Sequence, residues 1–315
     1  MEFEVYPILG IGSVEERAIL SRIIADPPSF YRRFNIPKRR GGVRVIHSPF
    51  PSLANVQKSI LTNVLADIPV SEYAFAYVSG RNAILHAKVH RESPELLKLD
   101  INRFFPSITR QMVFEALQSH GLSSKVSYFL SWLCTHKNEL PQGACTSPVL
   151  SNIVFSTMDF RLSRLASEVG LSYSRYADDM AFSGGYVPRN LSRSISKILL
   201  EGGFYLNESK TQLKLAGSKK ILVGVSISTG CLKAPKEFKR KLRAQIYELE
   251  KHSGNLSEVN DFDPLIYERV LGRINYLLQI EPDNRYALEK KRELSEMHQR
   301  FLSLGAGFSE ALNWM

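Results

Sequence analysis

Two stretches of the chain alternate apolar and polar residues with a period of two, the signature of a strand. In Leu171 to Gly185, LSYSRYADDMAFSGG, Tyr173, Arg175 and Ala177 alternate with Ser172, Ser174 and Tyr176, and Met180 to Ser183 begins a second strand. Asp178 and Asp179 lie between them, where a tight hairpin turn is expected. In Glu95 to Thr109, Leu97, Leu99 and Ile101 alternate with Lys98, Asp100 and Asn102, so a strand is predicted with Pro106 ending it. The run VRVIH at 43–47, after Gly41-Gly42, predicts one arm of a further hairpin.

Helical spacing marks the rest. Val56, Ile60, Val64 and Ile68 give a core-facing helix over Leu53 to Ile68, and Met112 to Cys134 is also expected to be helical. Ser151 to Val169, with Ile153, Met158, Leu162 and Leu165, reads as a long buried helix. Leu191 to Gly202 reads as another, stopped by Gly202-Gly203. Val14 to Phe34 is expected to hold one or two short helices broken at Pro27-Pro28. Beyond Cys231 the composition changes: Phe238, Leu242, Ile246 and Leu249 form one stripe, with Lys236, Lys239, Arg240 and Arg243 on the remaining surface. Tyr267 to Gln279 and Tyr286 to Leu302 predict two more helices.

Charge narrows the partners. With 315 residues, 44% of them hydrophobic, the chain can bury one large core or two moderate ones. A net charge of +10 and a pI near 9.4 favour a polyanion, either nucleic acid or an anionic membrane surface. Cys134, Cys145 and Cys231 are odd in number, far apart and without a CxxC, which points to a reducing cytoplasm and away from a disulfide or zinc framework. Met1-Glu2-Phe3-Glu4 does not read as a signal peptide, and no apolar run approaches the ~20 residues a membrane span needs.

Several residues then stand out as candidate chemistry. Asp100 lies in an apolar strand, where a charge is costly unless paired; Asp178 and Asp179 alone would be ordinary turn formers. LPQGACTSPVLSN, at 140–152, is a Pro/Gly/Ser-rich opening to a helix, suited to close approach of backbone and ligand. His86 and His90 would share a helix face but lack a third metal ligand.

Asp100, the Pro-Gln-Gly of 141–143 and Tyr-Ala-Asp-Asp at 176–179, in that order, resemble the palm motifs of reverse transcriptases. IPKRRGGVRVI (36–46) resembles that family's fingers motif, EGGFYLNESKTQL (201–213) the next palm motif, and ILVGVSIS (221–228) the primer grip. The likeness runs over roughly residues 30 to 230 and is specific as an ordered set. Within the family it is nearest to bacterial retron enzymes, with His86-Ala87-Lys88-Val89-His90 in place of Asn-Ala-x-x-His and Leu222-Val223-Gly224 in place of Val-Thr-Gly.

The resemblance implies an α+β right-hand polymerase fold with fingers, an antiparallel-sheet palm and a helical thumb. It divides the chain into an N-terminal helical cap (1–35), fingers (36–99), palm (100–230, with finger-associated helices at 111–138) and a thumb that also recognises RNA (231–315). It implies RNA-directed DNA synthesis from dNTPs, with Asp100, Asp178 and Asp179 as catalytic acids. These acids and the Ile101 backbone would hold two Mg²⁺, with Mn²⁺ as a substitute. Without cations, such carboxylates at about 4 Å would repel by on the order of 4 kcal/mol per pair at an effective dielectric of 20. By the same resemblance Lys38 and Arg44 hold the triphosphate, Phe105 is the steric gate against a 2′-hydroxyl, Gln142 and Gly143 line the nucleotide pocket, and Lys210 is a general acid to pyrophosphate. Lys236, Lys239, Arg240 and Arg243 would track nucleic acid, and His86 and His90 would position RNA or pack the fingers.

Retron membership further implies a cognate structured non-coding RNA, priming from a guanosine 2′-hydroxyl, a branched RNA–DNA hybrid, anti-phage defence and a separate effector protein. A non-retron defence enzyme or a group II intron-like enzyme are the rival enzymes. A non-catalytic RNA-binding scaffold would tolerate loss of an acid, and a basic membrane-surface protein would explain the charge but none of the motifs.

Overall fold

A computed structural model describes residues 5–38, 41–252 and 265–312, which form two compact units, 1–216 and 217–315. The first unit opens with helices α1 (Val5–Leu9) and α2 (Val14–Ala25), the second of these started by a capping box in which Ser13 and Glu16 satisfy each other's backbone N–H. A 3-10 turn at Pro27–Phe30 leads straight into β1 (Tyr31–Pro37), which pairs antiparallel with β2 (Val43–Pro49). The hairpin thus begins earlier than the helical reading of Val14 to Phe34 allowed, because the Pro27-Pro28 break ends helix altogether.

Helix α3 (Pro51–Asn63) buries Leu53, Val56 and Ile60 but stops before Val64, and a 3-10 turn at Leu65–Asp67 follows. Next come α4 (Ala83–Val89), β3 (Glu95–Asp100), the one-turn α5 (Phe104–Ser107), α6 (Arg110–Ser119) and α7 (Ser124–Cys134). Pro106 does not end the strand; β3 stops at Asp100, and Pro106 lies inside α5 after left-handed Arg103. The helical stretch expected over Met112 to Cys134 forms α6 and α7, separated at Gly121, whose φ of +88° suits glycine.

Then follow α8 (Ser147–Glu168), β4 (Ser172–Tyr176), β5 (Asp179–Gly184), α9 (Leu191–Glu201) and β6 (Gln212–Lys214). The strands form one antiparallel sheet in the order β4-β5-β3-β6. Its central strands are nearly continuous in buried residues (Leu96, Leu97 and Leu99 in β3, Met180, Ala181 and Phe182 in β5), as expected where both faces are covered. Buried residues of α8, such as Ile153, Phe155 and Leu162, join the same hydrophobic cluster, as do Leu191, Ile195 and Leu199 of α9.

The second unit holds a two-strand ribbon, β7 (Ile221–Leu222) with β8 (Val225–Ser226), and helices α10 (Lys236–His252), α11 (Ile266–Ile280) and α12 (Arg285–Leu312). Leu242, Ile246 and Leu249 are buried, as the stripe on α10 predicts. The ribbon carries the segment assigned from sequence to the palm; the compact units instead divide after Ala216. Among the described residues no helix is long and apolar enough to cross a membrane.

Candidate active site

The end of β3 is held from both sides. On one, Ile101 N–H donates to the Asp178 carbonyl at 3.0 Å; on the other, Asn207 N–H donates to the Asp100 carbonyl at 2.8 Å. Register sets Asp100 directly opposite Asp179 across the β3–β5 ladder, so the two side chains leave the same face of the sheet. The β4–β5 turn consists of Ala177 and Asp178, one residue earlier than the pattern suggested, and Asp179 already belongs to β5. The displacement depends on Ala177 adopting a left-handed φ of +56°, which alternation cannot reveal.

Asp100 is only 5% exposed. Burial, and then the Asp100 charge, raise the pKa of Asp178; burial and then Asp178 push Asp179 up to about 6. Relief comes from Lys210, whose Nζ donates to Asp100 Oδ2 at 2.7 Å, from the Lys98 charge acting on Asp179 and from the Arg44 charge acting on Asp178. Burial works to lower the Lys210 pKa, but the Asp100 bond and the three carboxylates outweigh it and hold it above the ordinary lysine value. Among the described residues no group of three or more Asp, Glu, His or Cys side chains forms a ready-made ion cage. The acids are adjacent and mutually repelling, yet still short of complete coordination. Hard oxygen donors of this kind fit a divalent cation that takes its remaining ligands from water and phosphate.

Around the acids, Phe104 is buried against Phe155 and Phe204, while Phe105 is half-buried with its ring 6.2 Å from that of Tyr77. The Gln142 carbonyl accepts the His47 N–H at 2.8 Å, fixing the Pro-Gln-Gly loop against β2. Gly143 has φ +125°, and a Cβ there would stand 2.8 Å from the His47 carbonyl oxygen, so only glycine fits. Arg44 is exposed on β2. Lys38 is exposed at the hairpin tip, its N–H bonded to the Gly42 carbonyl, and among the described residues no contact joins its ammonium to the acids.

Residues 36–247 match the family model of the reverse transcriptase (RNA-dependent DNA polymerase). The chain belongs to this family. Its relatives include the retron Mx162 reverse transcriptase of Myxococcus xanthus, 32% identical over 72% of this chain and 54% of that one. The retron Mx65 reverse transcriptase of the same organism is 30% identical over 84% of this chain and 64% of that one, and the retron Ec86 reverse transcriptase of Escherichia coli 28% identical over 80% and 77%. The chain therefore spans between about half and two thirds of the two Myxococcus proteins. A solved telomerase from Candida albicans shares the fold with a TM-score of 0.51 at 12% identity, covering 90% of this chain and 65% of that one.

Other residues singled out from the sequence sit away from the acids. His86 and His90 do not face a nucleic acid: both are completely buried. His90 bonds Ser183 Oγ at 2.6 Å and Ser174 Oγ at 2.7 Å, and Ser174 Oγ bonds His86 Nδ1 at 2.8 Å. Burial lowers the pKa of His90 to about 3 and, with the neighbouring His90 charge, that of His86 well below normal, so both rings stay neutral and pack the sheet. In the second unit Lys236 and Arg240 are exposed. Lys239 is instead engaged by Glu281 at 2.9 Å, and Arg243 lies over the Tyr286 ring at 5.0 Å to the centroid.

Asp159 belongs to none of the motifs legible in the sequence. It sits on α8, completely buried, and accepts Arg175 Nε at 2.9 Å, Arg175 Nη2 at 2.7 Å and Tyr173 Oη at 2.7 Å. The available signal was Arg175 itself, an arginine on the Tyr173 side of an alternating strand, which demands a buried acceptor.

Proposed function

We propose that this chain is an RNA-directed DNA polymerase of a retron, and the observation that carries the reading is Asp100 standing across the ladder from Asp179, with Asp178 next to it in the turn. Asp100, Asp178, Asp179 and the Ile101 backbone would hold two Mg²⁺, or Mn²⁺ in their place. Bound there, such ions activate the attacking hydroxyl and stabilise the leaving oxygens in phosphoryl transfer.

The chain's own residues do the rest. Arg44 and Lys38 donate charge-assisted hydrogen bonds to the triphosphate of an incoming dNTP. Phe105 acts as the steric gate against a ribose 2′-hydroxyl, and Gln142 and Gly143 line the nucleotide pocket. Lys210, released from Asp100, is placed to give its proton to pyrophosphate. The exposed cations Lys236 and Arg240 of α10 suit a polyanionic backbone.

As substrate we infer a cognate structured non-coding RNA, primed from a guanosine 2′-hydroxyl and converted to a branched RNA–DNA hybrid. We further infer a cytoplasmic setting, a role in anti-phage defence, and a separate effector protein as partner. The retron relatives support this reading. The test is the pair Asp178→Ala, Asp179→Ala: it should retain bound RNA yet make no DNA, and retained synthesis would overturn the assignment. Sequencing the nucleic acid that co-purifies with the chain tests the retron part; absence of a structured RNA with a DNA branch would overturn it.

A further inference from the structure

We propose that Arg175 is a positioning residue for the acidic turn, a strut that ties the Ala177 carbonyl to Asp159 of α8 and thereby aims Asp178; this rests on the polymerase reading above. The guanidinium has the shape for this role. Its Nε and Nη2 are both taken by the two Asp159 oxygens, at 2.9 and 2.7 Å, and its remaining fork nitrogen, Nη1, donates to the Ala177 carbonyl at 3.0 Å. Arginine alone among the cations presents donors along two edges of a rigid plane. A lysine at 175 has one ammonium and cannot span both partners.

The plane is fixed by its surroundings. The guanidinium carbon lies 4.6 Å from the Phe155 ring centroid and 5.6 Å from that of Phe104, and the side chain is fully buried. The Arg175 backbone is pinned as well, its N–H donating to the Tyr73 carbonyl and its carbonyl accepting from Phe75 N–H, each at 2.8 Å. Ala177 needs such an anchor because its φ of +56° is one that a residue with a Cβ does not hold unaided. The turn is therefore gripped at two successive carbonyls, Ala177 by Arg175 and Asp178 by the Ile101 N–H at 3.0 Å. Neither grip uses the Asp178 carboxylate. Because Phe104 flanks both Arg175 and Phe105, with the two phenyl rings 5.7 Å apart, the strut also underlies the gate residue.

The experiment uses the full chain in four forms: wild type, Arg175→Lys, the apolar pair Asp159→Leu with Arg175→Met, and Tyr173→Phe. The apolar pair removes both charges together, which a packed interior tolerates better than one orphaned charge. Thermal unfolding establishes which variants are folded. Direct Mn²⁺ binding is read by electron paramagnetic resonance without nucleotide, and primer extension is followed on a supplied RNA template across a Mn²⁺ series.

Folded Arg175 variants should bind Mn²⁺ roughly tenfold or more weakly, the size expected for losing one charge-assisted hydrogen bond. Their extension should fail at low Mn²⁺ and recover at high Mn²⁺, a rescue that a purely structural defect would not show. Tyr173→Phe removes an Asp159 donor but leaves the grip on Ala177, so its Mn²⁺ affinity should match the wild type. An active wild type whose folded Arg175 variants bind Mn²⁺ normally overturns the strut alone. A wild type that binds no Mn²⁺ and extends no primer overturns the polymerase reading itself.

Discussion

Two groups of carboxylates share the palm sheet's neighbourhood, and the chain treats them in opposite ways. Asp159 is fully enclosed and receives three donors from Arg175 and Tyr173. Asp178 and Asp179 are half-buried, and their acidity is weakened by burial and then by a neighbouring acid, Asp100 for Asp178 and Asp178 for Asp179; the cations that oppose this come from elsewhere, Lys210 and Arg44 for Asp178, Lys98 and Lys210 for Asp179. A charge satisfied by its own chain works as scaffold. A charge left partly unsatisfied inside a fold is tolerated where a ligand completes it.

The contrast is broken most severely by removing an acid from each group. Asp100→Asn should cut primer extension by at least about a thousandfold, since metal-assisted phosphoryl transfer depends on several kcal/mol from such ligands. Its thermal midpoint should stay close to the wild type, because the relieved repulsion offsets the weakened bond from Lys210. Asp159→Ala should do the reverse to stability, costing about 3–5 kcal/mol in denaturant unfolding by orphaning buried Arg175. Adding Arg175→Met to Asp159→Leu should restore most of that loss.

Acidity supplies a subtler test. Asp179 titrates near 6 in the fold against 3.8 as a free side chain, so the folded state holds its proton more tightly than the unfolded one. Its contribution to stability is therefore present below about pH 4 and is lost as pH rises through about 6, by at most about 3 kcal/mol. Denaturant titrations of the metal-free protein should show this loss; Asp179→Asn should abolish it, and Mn²⁺ should reverse it at neutral pH. The smallest effect concerns the loop rather than the acids. Gly143→Ala should destabilise by about 1–3 kcal/mol through its backbone conformation and the clash with His47, read as a lowered unfolding midpoint.

Much of this was legible from the chain alone. Alternation located β3, β4 and β5, and helical spacing located α8, α9 and the three helices of the second unit, because burial on one face leaves a regular trace. Asp100 and the Asp178–Asp179 pair were legible as an ordered set of motifs, and the ladder puts them side by side. What stayed hidden depends on contacts distant in sequence. The buried state of His86 and His90 comes from serines 84 to 93 residues away on β4 and β5, and Lys239 meets an acid 42 residues further on. The position of the turn depends on a single left-handed alanine, and local composition does not announce that conformation.

The seam between β2 and the Pro-Gln-Gly loop has a mechanical side. With the His47 N–H clasped by Gln142 and no room for even a methyl group at Gly143, hairpin and loop have no slack between them. Arg44 is carried on the same strand as His47, so this seam fixes the strand bearing that cation to the backbone of the loop.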